Sequence, residues 1–453
     1  MTDYAIPDDA TLDAIDRWVA YRVWHSRTPG AQVAVGVGGR PFFSRAYGYA
    51  DLDARTPMRT DHLFRIASHS KTFTATLVLQ LAEQGRLGLD DPVGQHLAAL
   101  ADGPLAGVRL RELLEHTGGV LRDGRDADHW CFARPFPDAD ALLEMTVAGG
   151  LKTEPGERFA YSNLGYSLLG LVIEAVTGET FAAAARHQIL APLGLDDTDA
   201  DYLTERAGDY AAGHSGLSSA TRREVLGHVP TGAMAAATGF TSTATDLVTY
   251  FGAHALGDDR LLTDRSKRLQ QRLANVTDPA KPEGVGYGWG MVTERVDDQT
   301  LVGHSGGYPG HITKTLLDPT TGLVVSVLTN AIDGPATPLA LGVAQLLAGA
   351  VPDPDAVPVA EAALSWTGRY ANLWHVIDLA AVGGRLRALS PTSWTPLDGA
   401  DVLVDDGPDR LRIESGPGFG SVGEPVERDP DRPDRISYAG MSMQRLDELP
   451  DPL

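Results

Sequence analysis

The sequence predicts an α/β (α+β) fold: an antiparallel sheet flanked by helices, followed by a small all-β C-terminal domain. Three observations point there. Strand-like runs near residues 31–51 and 311–330 bracket a long, mostly helical middle, which implies one sheet built from both chain ends. After about residue 348 the composition turns Pro/Ala/Asp-rich, "AGAVPDPDAVPVAEA", with no apolar period. Short strand-like runs with turn signals follow, the pattern of a small barrel or sandwich. At 453 residues the chain also exceeds the size at which one hydrophobic core stops growing. Two domains are therefore expected, 1–350 and 364–453, joined by a linker over 351–363.

Residues 8–27 read as an amphipathic helix, with Leu12, Ile15, Val19 and Val23 near helical spacing. "AQVAVGVGGRPFFSRAYGYAD" is two strands around Gly38 and Gly39, a hairpin signal. "SKTFTATLVLQLAEQGRLGLDD" is a helix closed by Gly85, and 161–178 is another closed by Gly178. "GHITKTLLDPTTGLVVSVLTN" is a second hairpin, turning over Asp318 to Gly322. In the tail, "WHVIDLAAV", "RLRALS", "DVLV", "RLRIES" and "RISYAG" read as short strands.

With 38 Lys+Arg against 60 Asp+Glu the net charge is −22, which argues against nucleic-acid and membrane partners. The single cysteine, Cys131, precludes an intramolecular disulfide and argues against a Cys-based zinc site. No H-E-x-x-H spacing occurs, so no metal and no cofactor are expected. The start, "MTDYAIPDDATLD", lacks the basic and apolar regions of a secretory leader. No run approaches the roughly 18 apolar residues of a membrane span. A cytoplasmic protein is expected.

Gly303, His304, Ser305, Gly306 and Gly307 satisfy G-x-S-x-G, the pattern of a nucleophile elbow. An elbow needs a helix directly after its serine, whereas "GGYPGHITKTLLDP" reads as a turn and another strand. Its late histidine is also missing, because His311 is too close and His375 sits in the β-rich tail. Ser305 is not expected to be the nucleophile. Gly213, His214, Ser215 and Gly216 repeat four of the letters without strand context.

Ser68 and Lys71 form an S-x-x-K motif where a helical pattern begins. Three residues apart on a helix, they share a face and can touch. A serine needs a base, and a lysine serves as one when burial and the positive helix end lower its pKa. With 20 serines and 5 lysines, about 0.2 such matches arise by chance, so the motif carries weight. Ser70 reads as a helix-start residue. "EPGERFAYSNLGYSLLG" places Tyr161 and Asn163 between a Pro-Gly loop and a helix. Tyr161 is either a phenol that relays a proton, aided by nearby cations, or core. Asn163 is either a polar contact for substrate and lysine or an N-cap.

S-x-x-K, then Y-x-N, then a small-residue strand headed by "HSG" resembles the serine β-lactamase-like and penicillin-binding-protein family over roughly residues 10–345. "LFRIASHSKTFTATLVLQLAEQGRLGLDDPV", "LRELLEHTGGV" and "GHSGGYPGHITKTLLDPTTGLVVSVLTN" extend the likeness. The resemblance implies a beta-lactamase/transpeptidase-like catalytic domain and, for the tail, a lipocalin-like β-barrel. It implies Ser68 as acylated nucleophile, Lys71 as its base, Tyr161 as proton relay and Asn163 as a substrate or lysine contact. His304, Ser305 and Gly306 stand where the family has Lys-Thr-Gly, with Ser305 and Gly306 as substrate contacts. The N–H groups of Ser68 and Gly307 form the oxyanion hole. Arg445 in "RISYAGMSMQRL" is either a substrate contact at the active-site mouth or an exposed strand residue. His116 in "HTGGVLRDGRDADHW" is expected to serve loop structure, and Tyr287 and Trp289 to be core or pocket wall.

His304 in place of lysine argues against strong β-lactamase activity, because a histidine near neutral pH does not grip a carboxylate as a permanent cation does. Within the family, H-x-G resembles D-aminopeptidases and penicillin-binding-protein-type thioesterases. The expected function is a serine acyltransferase/hydrolase that passes through acyl-Ser68 on peptide-like substrates with a D-configured acyl residue. Most specifically, the resemblance implies a thioesterase that macrocyclises nonribosomal peptides, its substrate delivered as a carrier-protein thioester. A D-stereospecific aminopeptidase, amidase or carboxylesterase is the alternative, and a non-catalytic binding protein the remote one.

Overall fold

The computed structural model describes residues 4–218, 220–277, 285–296, 299–351, 359 and 361–450. They form two compact units, one of Met1–Tyr4 with Pro29–Ala336 and one of Ala5–Thr28 with Thr337–Leu453. This grouping follows contacts, whereas the 1–350 boundary follows chain order. Most of the expected linker over 351–363 lies outside the described residues.

The first unit is built on a nine-stranded sheet, and every pairing in it is antiparallel. Strands β1 (Gly30–Val37), β2 (Arg40–Asp51) and β3 (Thr56–Pro57) come from one end of this unit, not from an end of the whole chain. Strands β4 (Asn275–Val276), β5 (Val285–Tyr287), β6 (Val292–Val296), β7 (Gln299–Tyr308), β8 (His311–Leu317) and β9 (Leu323–Thr329) come from the other. The order is β3-β2-β1-β9-β8-β7-β6-β5-β4, so the two sets join where Ala31 faces Thr329 and Val37 faces Leu323. Between β1 and β2, Gly38 and Gly39 both take positive φ (57° and 80°), the backbone a two-residue hairpin turn of the right twist requires.

The second unit holds α1 (Asp9–His25), N-capped by the Asp8 carboxylate on Thr11 N–H. In the first unit, α2 (Ser70–Glu83) ends before Gly85, and α3 (Asn163–Thr177) ends at Gly178 with φ 75°. Helix α4 (Ala244–Gly252) packs on β1, β2 and β9. Phe73 of α2 stacks on Tyr250 of α4 with ring centroids 3.7 Å apart, and both are fully buried. Among the described residues no single helix is long and apolar enough to cross a membrane.

In the second unit eight strands close into a barrel: β10 (Gly368–Ala371), β11 (Val376–Val382), β12 (Arg385–Leu389), β13 (Asp401–Asp405), β14 (Arg410–Ser415), β15 (Pro425–Asp429), β16 (Arg432–Tyr438) and β17 (Met441–Leu446). Pairing of β10 with β17 closes the ring and leaves no edge strand exposed. Its interior is filled by Tyr370, Leu379, Leu386, Leu403, Ile413 and Ile436, so it is a packed core. The buried Arg369 and Asp378 make a bidentate pair with both N···O distances 2.7 Å. Helix α5 (Ala336–Ala348) meets α1 at Gly342, where a Cβ would fall 2.2 Å from the Trp18 ring.

Candidate active site

Between residues 62 and 79 the chain is buried except at Ser68, which is half-buried. The short ladder of Phe64–Arg65 with Thr241–Ser242 leads into Ile66, whose N–H donates to Phe240 O. Ala67 then takes φ +48°, a strained value for a residue with a Cβ, and a 3-10 turn, Ala67–His69, runs on into α2. Ser68 therefore stands on a strained corner at the head of a helix. Ser70 starts the α-helix as expected, and its hydroxyl also accepts from Phe240 N–H at 3.0 Å. His69 ties the corner to β8 through Thr315 Oγ1 at 3.0 Å, and burial lowers its pKa to about 3.

Lys71 is fully buried, and its Nζ lies 2.8 Å from Asn163 Oδ1, 2.8 Å from Ala237 O and 3.3 Å from Ser68 Oγ. Burial pushes its pKa well below the ordinary lysine value; Asp123 opposes that push and Arg122 adds to it. A neutral amine has two N–H donors and one lone pair. Asn163 Oδ1 and Ala237 O take the donors, which leaves the lone pair for the Ser68 hydroxyl proton.

Tyr161 Oη donates to Ser68 Oγ at 2.9 Å. Burial raises its pKa above the ordinary phenol value, so Arg122 near its ring does not make it a phenolate. It stays a proton donor. Asn163 is not the N-cap of α3. Ser162 fills that role, its Oγ accepting from Gly165 N–H at 2.8 Å, and this frees the Asn163 amide for Lys71. His116, at φ +58°, accepts Ser162 N–H on Nδ1 at 3.1 Å and lies with its ring centroid 4.2 Å from that of Tyr161.

On β7, His304, Gly306 and Tyr308 are buried, whereas Ser305 and Gly307 are exposed. A Cβ at Gly306 would meet Ile66 O at 2.2 Å, so only glycine lets this strand lie on the Ser68 corner. Strand β6 pairs with β7 only as far as Gly303, which leaves the edge from His304 to Tyr308 unpaired on that side. Space around Gly307 is open, with Ile312 Cδ1 at 3.5 Å the nearest atom to an added Cβ.

The hydrogen bonds of the His304 ring go to Ser305 and Tyr287. Its Nδ1 lies 2.6 Å from Ser305 O, which can only accept, so Nδ1 carries the proton and Nε2 accepts from Tyr287 Oη at 3.2 Å. Burial lowers its pKa well below 6.5, so the ring is neutral where the family has lysine. Tyr287 is thus a buried partner of the site, and Trp289 donates its indole N–H to Glu115 Oε2 at 3.2 Å. Arg445 lies on the last barrel strand, where its guanidinium bonds Thr367 O and Asp447 Oδ1, both at 3.1 Å.

Sequence reasoning missed Asp123, whose Oδ1 accepts from Asn163 Nδ2 at 2.7 Å, and Ala237, whose carbonyl completes the Lys71 environment. No spacing rule singles out Asp123 among the acidic residues of "LRDGRDADHW". Among the described residues no group of three or more His, Cys, Asp or Glu is placed to hold a metal ion.

A beta-lactamase family model matches residues 15–350. A penicillin-binding protein of Bacillus subtilis (strain 168) is 30% identical over 292 residues, 61% of this chain and 62% of that protein. The chain spans 62% of the length of the curated relatives it matches. Among solved structures, a D-stereospecific amidohydrolase from Streptomyces sp. superposes with a TM-score of 0.63 at 25% identity, over 74% of this chain and 98% of that one. SurE superposes with a TM-score of 0.62 at 27% identity, over 96% of this chain and 99% of that one. SurE has also been solved with D-Leu.

Proposed function

Because the chain belongs to the beta-lactamase family, we propose that it is a serine acyltransferase/hydrolase working through an acyl-Ser68 intermediate. The observation that carries the reading is the Ser68 hydroxyl held between Lys71 Nζ at 3.3 Å and Tyr161 Oη at 2.9 Å. Lys71 takes the hydroxyl proton as Oγ attacks the acyl carbonyl. The oxyanion is received by the N–H groups of Ser68 and Gly307. As the tetrahedral species collapses, Tyr161 gives its proton to the departing amine or thiol and is reprotonated from Lys71. An incoming nucleophile then releases the acyl group, and its proton returns to Ser68 Oγ by the reverse route.

The substrate class we propose is a peptide-like acyl donor with a D-configured acyl residue. The likeness to a D-stereospecific amidohydrolase and to SurE, solved with D-Leu, supports it. The neutral His304 supports a donor without a carboxylate at the position where penicillins carry theirs. Within that class we favour a thioesterase that joins the acyl group to the substrate's own amine, with a carrier-protein thioester as donor. The likeness to SurE covers 96% of this chain, barrel included, against 74% for the amidohydrolase, so the shorter amidohydrolase plan does not account for the whole chain. Mass spectrometry of products from peptidyl thioesters with L- or D-residues at the acyl position tests it. Release of the thiol with no added water, from the D-substrate only, is expected. A product heavier by water assigns a hydrolase, and equal use of L and D overturns the stereochemical reading.

A further inference from the structure

Asp123 lies one step behind the residues that touch Ser68. Its Oδ1 accepts from Asn163 Nδ2 at 2.7 Å and from Trp130 Nε1 at 3.0 Å, and its Oδ2 faces Arg122 Nε at 3.1 Å. Its side chain is 12% exposed. We propose that Asp123 is a positioning residue for acylation, fixing the Asn163 amide with its oxygen towards Lys71 and so aiming the lysine lone pair at Ser68. The inference rests on the acyl-Ser68 reading above.

The selection follows from donor and acceptor chemistry. A carboxylate oxygen only accepts, so it draws the NH2 end of the amide and turns Oδ1 towards Lys71 Nζ, 2.8 Å away. With the amide reversed, Asn163 Oδ1 would face the carboxylate, acceptor against acceptor, and its NH2 would face Lys71. The lysine lone pair would then be drawn to Asn163 and away from Ser68. A charged acceptor holds the amide more firmly than a neutral one. Trp130 and Arg122 in turn hold the carboxylate, so the loop from 122 to 130 acts on the nucleophile through a single amide.

Asp123 also faces Lys71 as a charge. The other groups around that lysine are Arg122, the rings of Tyr161 and Tyr166 at 4.8 and 5.7 Å, and the buried histidines His116 and His304. Burial holds both histidines neutral around pH 7. Removing the carboxylate, and with it the partner of Arg122, leaves Lys71 easier to deprotonate. The acid limb of nucleophile activation must then move to lower pH.

The test is the pH dependence of Ser68 labelling by a fluorophosphonate probe in the full chain, mapped by peptide mass spectrometry, with Ser68→Ala as control. Asp123→Asn keeps an acceptor oxygen for Asn163 and Trp130 but loses the charge. It is expected to move the acid limb down by about half a pH unit or more with the plateau within about threefold. Asp123→Ala also loses the acceptor, and its plateau is expected to fall about tenfold or more. A wild-type limb in Asp123→Asn overturns the proposal, as does equal loss of plateau in both variants with the limb unmoved, the mark of a merely structural residue. Absence of labelling at Ser68 in the wild-type chain would overturn the acyl-Ser68 reading itself, and this proposal with it.

Discussion

Burial acts on Lys71 and Tyr161 in opposite directions, and the proposed mechanism divides its proton chemistry between them accordingly. Taking a cationic acid out of water favours its neutral base, whereas taking a neutral phenol out of water keeps its proton on. Lys71 is thereby made an acceptor and Tyr161 a donor, both within reach of Ser68 Oγ. Tyr161→Phe removes only the hydroxyl, so kcat is expected to fall about 10²- to 10³-fold with the thermal midpoint little changed. Steady-state kinetics beside a thermal melt checks both. The pH profile of kcat/KM is expected to rise on its acid side with an apparent pKa far below that of a free lysine, about 10.4. A rate that climbs only near pH 10 would mean that Lys71 keeps the pKa of a free lysine and that burial does not make it a base at neutral pH.

At the scale of the element, the strand beside Ser68 carries two adjacent glycines in different surroundings. Gly306 has no room for a side chain, since a Cβ would meet Ile66 O at 2.2 Å and Thr313 Oγ1 at 2.4 Å. Gly306→Ala is expected to destabilise the chain by about 1–3 kcal/mol and to lower kcat by pushing β7 off the corner. Gly307 faces open space, so Gly307→Ala is expected to stay within about 0.5 kcal/mol of wild type. Denaturation of the two variants side by side separates these cases. Local spacing made much of this scale legible: S-x-x-K brings Ser68 and Lys71 together because residues three apart share a helix face, and paired glycines announce the first hairpin. What depends on distant chain was not legible. Asp123 reaches Asn163 across 40 residues. The N-cap role goes to Ser162 and not Asn163 because Lys71, 92 residues before Asn163, claims the amide. The charged barrel strand Pro425–Asp429 lacks the apolar alternation that marks its neighbours.

At the scale of the whole molecule, strands from 30–57 and 275–329 build one sheet and the tail closes a barrel, so stability rests on contacts distant in sequence. Buried neutral histidines add a pH limit to that stability. Burial lowers the pKa of His69 to about 3 and those of His228 and His254 to about 4. Below about pH 6.5 the unfolded chain takes up protons at these positions and the folded chain does not. Their contribution is therefore complete above that pH and is lost as the pH falls towards the folded values. At pH 5.5 each costs about 1.4 kcal/mol, and the thermal midpoint is expected to fall by roughly 6 °C between pH 7.5 and 5.5 from these three. A midpoint unchanged over that interval would mean that the histidines titrate normally in the folded chain.

The most direct test of the central claim is to trap the acyl-enzyme. The chain is mixed with a D-acyl thioester, quenched in acid, digested and mapped by tandem mass spectrometry. The expected result is an acyl adduct on Ser68, absent from Ser68→Ala, which also loses turnover. An adduct on Ser305, or full turnover by Ser68→Ala, would contradict the account.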